Sequence, residues 1–540
     1  MTAAITRRLF VSAPAAMAAI AGGLAPSLAE AQGTPAPADR PLTIGIGGSV
    51  TSLDPHFYNA APNNSLAMHV FDRLVERDAA NKPYPGLALS WTPVSETVWE
   101  FKLRPGVKWH DGKDFTADDV AFTIERVPNV QGSPGGFGGF IRAIRRTEVV
   151  DPLTVRFHTA APHPLLPTEL AGVAVISRHA GQGANPEDYN SLKAAIGTGP
   201  YKVASYSPGD RTELVRNDAW FGPKQPWSRV SYRFISNDSG RTAALLAGDV
   251  DMIDQVPTSD LAKLRRDNRV KLAEVQGVRV IYLFPDYSRD GNVPFVTDNN
   301  GQPLPKNPFK DLRVRQALSM AINREAICRQ IMEGTAQPTG QWLPPGSYSY
   351  NPDVKPSPYD PNRAKALLAE AGYPNGFKLT LHGPNDRYPN DARTIQAVAQ
   401  MWQRIGIQTE VEALPWASFS VRNSKQEYAI RLLGWGSTTG EASYTLVNIL
   451  GTWNPAKRMG ASNNGRYSNP ELDALTDRAV ATLDDNEREK LLQQAVKMAM
   501  DDLAFIPLHQ LVNVWALKRN LNYDARADER TVAMGASPAA

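Results

Sequence analysis

Strand-like and helical stretches alternate along most of this chain, and that alternation limits its fold more than any other feature. Leu42-Thr43-Ile44-Gly45-Ile46-Gly47 switches sides residue by residue, and TELVRN (212–217), VSYRFI (230–235) and VRVIYLF (278–284) are also strand-like. Between them come helices marked at both ends. Asp360-Pro361 opens one, with aspartate as N-cap and proline at the first helical position; Gly372 closes it and Pro374 bars continuation. Asn469-Pro470-Glu471 opens another in the same way. Asp311 to Ile322 predicts an amphipathic helix, and Asn323 caps a second that ends at Gly334. The chain is α/β, with no internal repeat.

The N-terminus carries Thr6-Arg7-Arg8-Leu9-Phe10, then a weakly hydrophobic run rich in Ala and Gly, then Ala29-Glu30-Ala31. Such a segment is an export signal of twin-arginine type, expected at residues 1–31, with a Pro/Ala leader over 32–41. Pro14 and Pro26 argue against a membrane anchor, and no cysteine stands near the cleavage point to take a lipid. The destination expected is the periplasm. Roughly 500 residues then remain, too many for one hydrophobic core, so two or three domains are expected. A formal charge of +3 over 540 residues gives no footing for nucleic acid or an acidic membrane as partner. The one cysteine, Cys328, lies beside Ile327 and Ile331, which predicts core packing and no disulfide. ADERTVAMGASPAA (527–540) reads as a loose tail, and DYSRDGNVPFVTDNNGQPLPKNPF (286–309) as a long polar surface loop.

Only GVKWHDGKDFTADDVAFTIER (106–126) looks like chemistry, with His110 among Asp111, Asp114, Asp118 and Asp119. A metal would want a second histidine or cysteine at helical or cross-strand spacing, and the next histidines are His69 and His158. Thr116 is instead a good N-cap, and Asp118 and Asp119 suit the first turn of a helix. The stretch is read as structural. No His-Glu-x-x-His, phosphate loop or Gly-x-Ser-x-Gly elbow occurs, so no enzyme chemistry, metal or cofactor is expected.

Eight blocks in order then carry a resemblance: PGLALSW (85–91), WEFKLRPGVKWHDGKDFTADDVAF (99–122), GTGPYKV (197–203), PGDRTELVRNDAWF (208–221), AALLAGDVDMIDQVP (243–257), DLRVRQALSMAINREAI (311–327), YDPNRAKALLAEAGYPNGF (359–377) and YSNPELDAL (467–475). Together they resemble the extracytoplasmic solute-binding proteins of family 5, the peptide, nickel and opine receptors of ABC importers. The resemblance implies a large two-lobed α/β fold of the class II-like periplasmic-binding-protein type. Lobe I would take its core from 42–60, 197–278 and 510–540, with a subdomain inserted over 61–196; lobe II would run over 279–509. Chain crossovers near Val278–Tyr282 and Ile506–Gln510 would form the hinge. Partners implied are a small-molecule ligand and the permease and ATPase subunits of the importer, with the receptor itself a monomer.

By the same resemblance, LHGPNDRYPNDARTIQ (381–396) places Arg387 where dipeptide-binding members hold the ligand carboxylate, a task suited to a guanidinium fork. In GWGSTTGEASYTL (434–446), peptide-binding relatives carry an aspartate for the ligand's α-ammonium. Ser437, Thr438 and Thr439 stand in that region here, and Glu441 is the nearby carboxylate. A hydroxyl-rich loop suits a ligand offering hydroxyls or amides beside an anionic group. Trp435, Trp416 and Tyr444 are expected as flat walls, with Trp342 in GQWLPPG weaker. On lobe I, Ser49, Thr51 and Ser52 of SVTSLDP and the glycines of GGFGGF (135–140) are expected at the cleft. His382 keeps a nickel-chelate receptor as an alternative; an exported hydrolase and a peptide-loading chaperone are further ones.

Overall fold

The computed structural model describes residues 41–437, 439–457 and 459–539. The expected export signal and nearly all of the leader lie outside the described residues.

A mixed sheet of twelve strands runs through the molecule in the spatial order Val296–Thr297, Lys378–Pro384, Ile430–Gly436, Val270–Pro285, Ile506–Lys518, Met252–Ile253, Leu42–Ile46, Arg229–Phe234, Arg211–Arg216, Tyr201–Ser207. Gln408–Leu414 adds beside Lys378–Pro384, and Ala336–Pro338 beside Ile506–Lys518. The two longest strands, Val270–Pro285 and Ile506–Lys518, pair antiparallel from Val270↔Lys518 to Gln276↔Val512. Their register then slips and resumes at Val280↔Gln510. Each strand serves two different cores on either side of that slip. Ile281, Leu283, Ile506, Leu508 and Leu511 pack in one apolar cluster, whereas Trp515 and Leu517 pack in another with Leu42, Ile44 and Tyr232. Gly277 sits at the slip because a Cβ there would meet the Asn513 side chain at 2.7 Å. A third core belongs to a four-stranded antiparallel sheet ordered Ala88–Ser95, Val98–Leu103, Thr154–Thr159, Ile144–Asp151.

That third cluster runs from Leu74 to Val175. Helix Ala61–Val70 buries Leu66, Ala67 and Val70 with the first lobe's strands instead, as do Ile176, Tyr189 and Ala194. The helix thus has its apolar partners in a different cluster from the four-stranded sheet.

The capped helices form where their punctuation sets them. Asp360 accepts a hydrogen bond from Arg363 N at 2.9 Å and opens helix Pro361–Glu370; Gly372 follows at φ +94°. Asn469 accepts from Glu471 N and Leu472 N ahead of Pro470–Ala481. Asp311 caps Leu312–Met320 through Arg313 N, and Asn323 caps the next turn through Ala326 N. Each such cap stabilises its helix by about 1 kcal/mol.

The His110 stretch is structural. Asp119 reaches back to Thr116 N at 3.0 Å, completing a capping box, and its other oxygen accepts from Arg178 N at 2.8 Å. His110 lies between Gly199 O (3.0 Å) and Gly197 N (3.2 Å), and burial pushes its pKa down to about 4. Asp111 pairs with His179 at 2.7 Å, and Asp114 with Lys108 at 2.5 Å.

The C-terminal segment is not loose. Ala536–Pro538 pairs with Leu521–Tyr523, Trp515 Nε1 donates to Thr531 Oγ1 at 2.9 Å, and Ala533 is fully buried. Small residues here signify close packing against the first lobe. The 286–309 loop adds a short strand, Val296–Thr297, to the sheet edge at Leu379 and Lys378.

Candidate functional site

Two loops leave the ends of the neighbouring strands Lys378–Pro384 and Ile430–Gly436. The first follows Lys378–Pro384. Asp391, buried at the head of helix Asp391–Gln403, accepts from Arg387 N and Tyr388 N at 3.0 Å each, which fixes the backbone of the turn. Asn390 adds a tie to the first lobe, its Nδ2 donating to Thr258 Oγ1 at 2.9 Å. Arg387 is exposed, and its guanidinium carbon lies 5.3 Å from the Tyr388 ring centre and 5.4 Å from that of Trp416. Two rings therefore hold the cation in place while its N–H edge stays accessible. Trp416 N donates to Asp386 Oδ1 at 2.7 Å, joining helix Trp416–Ser424 to the same turn.

The second loop follows Ile430–Gly436. Trp435 stacks on Tyr444, centroids 5.1 Å apart and planes at 21°. The indole Nε1 of Trp435 and the Oγ1 of Thr439 are both buried without a hydrogen-bond partner. Buried polar atoms are usually hydrogen-bonded, and these two stand at the end of the strand and in the turn after it. Ser437 is 1% exposed; its hydroxyl donates to Glu441 O at 2.6 Å and so braces the loop. Thr438 lies outside the described residues.

Glu441 points inward. Its carboxylate pairs with Arg488 Nη1 and accepts from Ser443 Oγ, and Arg488 is held in turn by Asp485 at 3.1 Å. A carboxylate matched in this way anchors the loop, and offers little to a ligand cation.

Other expected residues fall elsewhere. Ser52 is buried, giving its hydroxyl to Asn190 Oδ1 at 3.1 Å and accepting from Asp54 N, both on the first-lobe side. Gly135 pairs with Tyr58, so the glycine run closes against the first lobe's own backbone. Trp342 is fully buried against Phe505. His382 is fully buried, stacked on Tyr428 at 4.4 Å with Glu412 2.9 Å away, and burial lowers its pKa to about 4. A ring packed inside the lobe gives a metal chelate no approach. Among the described residues no three metal-ligating side chains gather, and no helix is long and apolar enough to cross a membrane.

Residues 82–457 match the model of the bacterial extracellular solute-binding proteins, family 5 Middle. The chain belongs to this family. Heme-binding protein A of Haemophilus influenzae is 30% identical over 476 residues, covering 82% of each chain. The dipeptide-binding protein of Escherichia coli is 28% identical over 85% of this chain and 86% of its own. Among solved structures, HbpA2 from Haemophilus parasuis superposes with a TM-score of 0.78 at 26% identity, over 92% of this chain and all of its own. The fold is accordingly the two-lobed one of the family. Family 5 proteins are binding proteins that deliver small-molecule ligands to the permease and ATPase subunits of ABC importers, and this chain is such a receptor.

Two further residues, Tyr388 and Arg279, pack around the Arg387 turn of this solute-binding protein. Tyr388 holds Arg387 and donates its hydroxyl to Gly434 O at 3.2 Å. Arg279, on the crossing strand, lies 6.0 Å from the same ring and pairs with Glu529. Tyr388 could have been found from its place beside Arg387. Arg279 carries no local signal, because its partner is 250 residues away.

Proposed function

We propose that this family 5 receptor works in the periplasm as a monomer and closes its lobes on a small polar organic solute whose anionic group is taken by Arg387. The observation that carries the reading is the Arg387 turn. Its guanidinium is exposed between Tyr388 and Trp416. Trp416, Trp435 and Tyr444 serve as stacking walls, and Thr439, with Thr438 beside it, as the hydroxyl partners. Glu441 and Ser437 shape the loop from behind. With the loop's carboxylate committed to Arg488, opines and acidic sugar-like solutes fit better than a peptide's α-ammonium, whose burial without a counter-charge costs several kcal/mol. The twin-arginine pair Arg7-Arg8 supports export, and no covalent chemistry is proposed.

The test is thermal denaturation against di- to pentapeptides, opines, acidic sugars and nickel chelates. A ligand at a hundred times its Kd adds about 2.7 kcal/mol, a shift of a few degrees. Arg387→Ala should abolish the shift from an anionic hit. Unchanged binding in that variant rejects the anion clamp, and a preference for short peptides rejects the ligand class.

A further inference from the structure

Where the loop after Gly436 meets the first lobe, four guanidiniums crowd together. Arg73 and Arg77 come from the turn and strand after helix Ala61–Val70, and Arg526 and Arg530 from the C-terminal segment. Backbone contacts stitch the two segments: Arg526 Nη2 donates to Arg77 O at 3.1 Å, and Ala527 N to Ala79 O at 2.8 Å. Gly440 of the second lobe closes on them, since a Cβ there would lie 3.6 Å from Arg77 Nη1 and 3.4 Å from Asn81 Nδ2.

Only Arg526 is fully matched, gripping Asp528 at 2.9 and 2.7 Å. Arg77 donates to neutral oxygens, Asn81 O (3.3 Å), Asn81 Oδ1 (3.2 Å) and Thr168 O (2.7 Å). Arg530 has Asp528 at 3.8 Å and Met68 sulfur at 3.9 Å. Arg73 is 3% exposed; its Nη1 lies 3.8 Å from Glu76, and neither Nε nor Nη1 has a hydrogen-bond partner.

Glu76 is the carboxylate beside Arg73, and Asp528 is shared by Arg526 and Arg530. Glu76 accepts from Arg73 N at 2.8 Å, and burial raises its pKa. Asp72 is held by Thr198 and Trp220, and burial pushes it up to about 7. Burial, with Arg530 beside it, brings Arg77 down to about 10, and burial brings Arg530 to about 10 against the pull of Asp528. Four guanidiniums stand against the two carboxylates Glu76 and Asp528, which leaves positive charge in excess, and a guanidinium edge suits a planar two-oxygen anion.

We propose that Arg73, Arg77 and Arg530 form a second anion subsite on the first-lobe side of the cleft, so that the solute is a dianion with two separated carboxylate-type groups. One group sits at Arg387 and the other at this cluster. The inference rests on the receptor reading above. Arg279, 6.0 Å from the Tyr388 ring, is already paired with Glu529.

The experiment titrates the purified protein with two matched pairs: galactarate against galacturonate, and adipate against its monomethyl ester. Within a pair the two-carboxylate member should bind at least tenfold tighter. Arg530→Gln should erase that preference and leave the one-carboxylate affinity unchanged. Arg73→Met should weaken the two-carboxylate member more than the one-carboxylate member; equal weakening of both marks a merely structural arginine. Equal affinity within both pairs, or an Arg530→Gln loss shared by both members, overturns the subsite and leaves the receptor reading standing. Binding of neither pair overturns the subsite and the anion clamp together.

Discussion

The Arg279 guanidinium grips both carboxylate oxygens of Glu529, Nε to Oε1 at 2.8 Å and Nη2 to Oε2 at 3.1 Å. Arg279 lies where Val270–Pro285 passes from one core to the other, and Glu529 on the C-terminal segment at φ +65°. The pair clamps that segment to the crossing strand. Both side chains keep some exposure, so water screens part of the attraction. A double-mutant cycle with Arg279→Gln and Glu529→Gln, read by urea denaturation, should give a coupling of about 1 kcal/mol. Additive losses would dissolve the clamp.

Glu441 and Arg488 are buried together, and removing one charge strands the other. Glu441→Gln should cost about 3 kcal/mol of stability. Arg488→Met added to it should restore much of the loss. If Glu441 instead met a ligand cation, the single variant would lose affinity at unchanged melting temperature. Differential scanning calorimetry with and without ligand separates the two.

Acid should destabilise the fold. Burial holds His56, His69, His110 and His382 at about 4 and His509 at about 3, against 6.5 for the free side chain. Between pH 6.5 and 4 the unfolded chain therefore takes up protons that the folded chain refuses, and stability falls as pH falls. Each histidine steepens the slope by about 1.4 kcal/mol per pH unit. Asp72 works the other way: its carboxyl, raised to about 7, stays protonated when folded and offsets one histidine. The melting temperature should drop steeply from pH 6.5 to 4.5; a flat profile would mean that these rings are charged in the native state.

Cys328 should be silent. It is 5% exposed, and burial pushes its thiol up to about 12, beyond the reach of thiolate chemistry at neutral pH. A colourimetric thiol reagent should register no cysteine in the native protein and one in denaturant. Rapid native labelling would show that the helix around Ile327 opens.

What could be read from the residues was mostly local. The caps at Asp360, Asn469 and Thr116 depend on neighbours within three positions, and the structure uses each of them. The two-lobed plan was legible through likeness to a family. Long-range pairing was not. Glu441 looked available because Arg488 stands 47 residues further on, and Ser52 looked open because Asn190 is 138 away. The tail over 527–540 looked loose because its small residues hide how closely Trp515, Trp227 and His69 press on it.

The first lobe's part of the sheet sets a timetable for synthesis. Met252–Ile253 lies between Leu42–Ile46 and Leu517–Ala516, so its outer hydrogen bonds wait for almost the last residues translated. The four-stranded insert and much of the second lobe draw their partners from their own stretch of chain and can condense while the ribosome is still working. The first lobe cannot. A nascent receptor truncated before residue 516 should carry two formed regions and one open sheet edge, a state that invites aggregation or a chaperone.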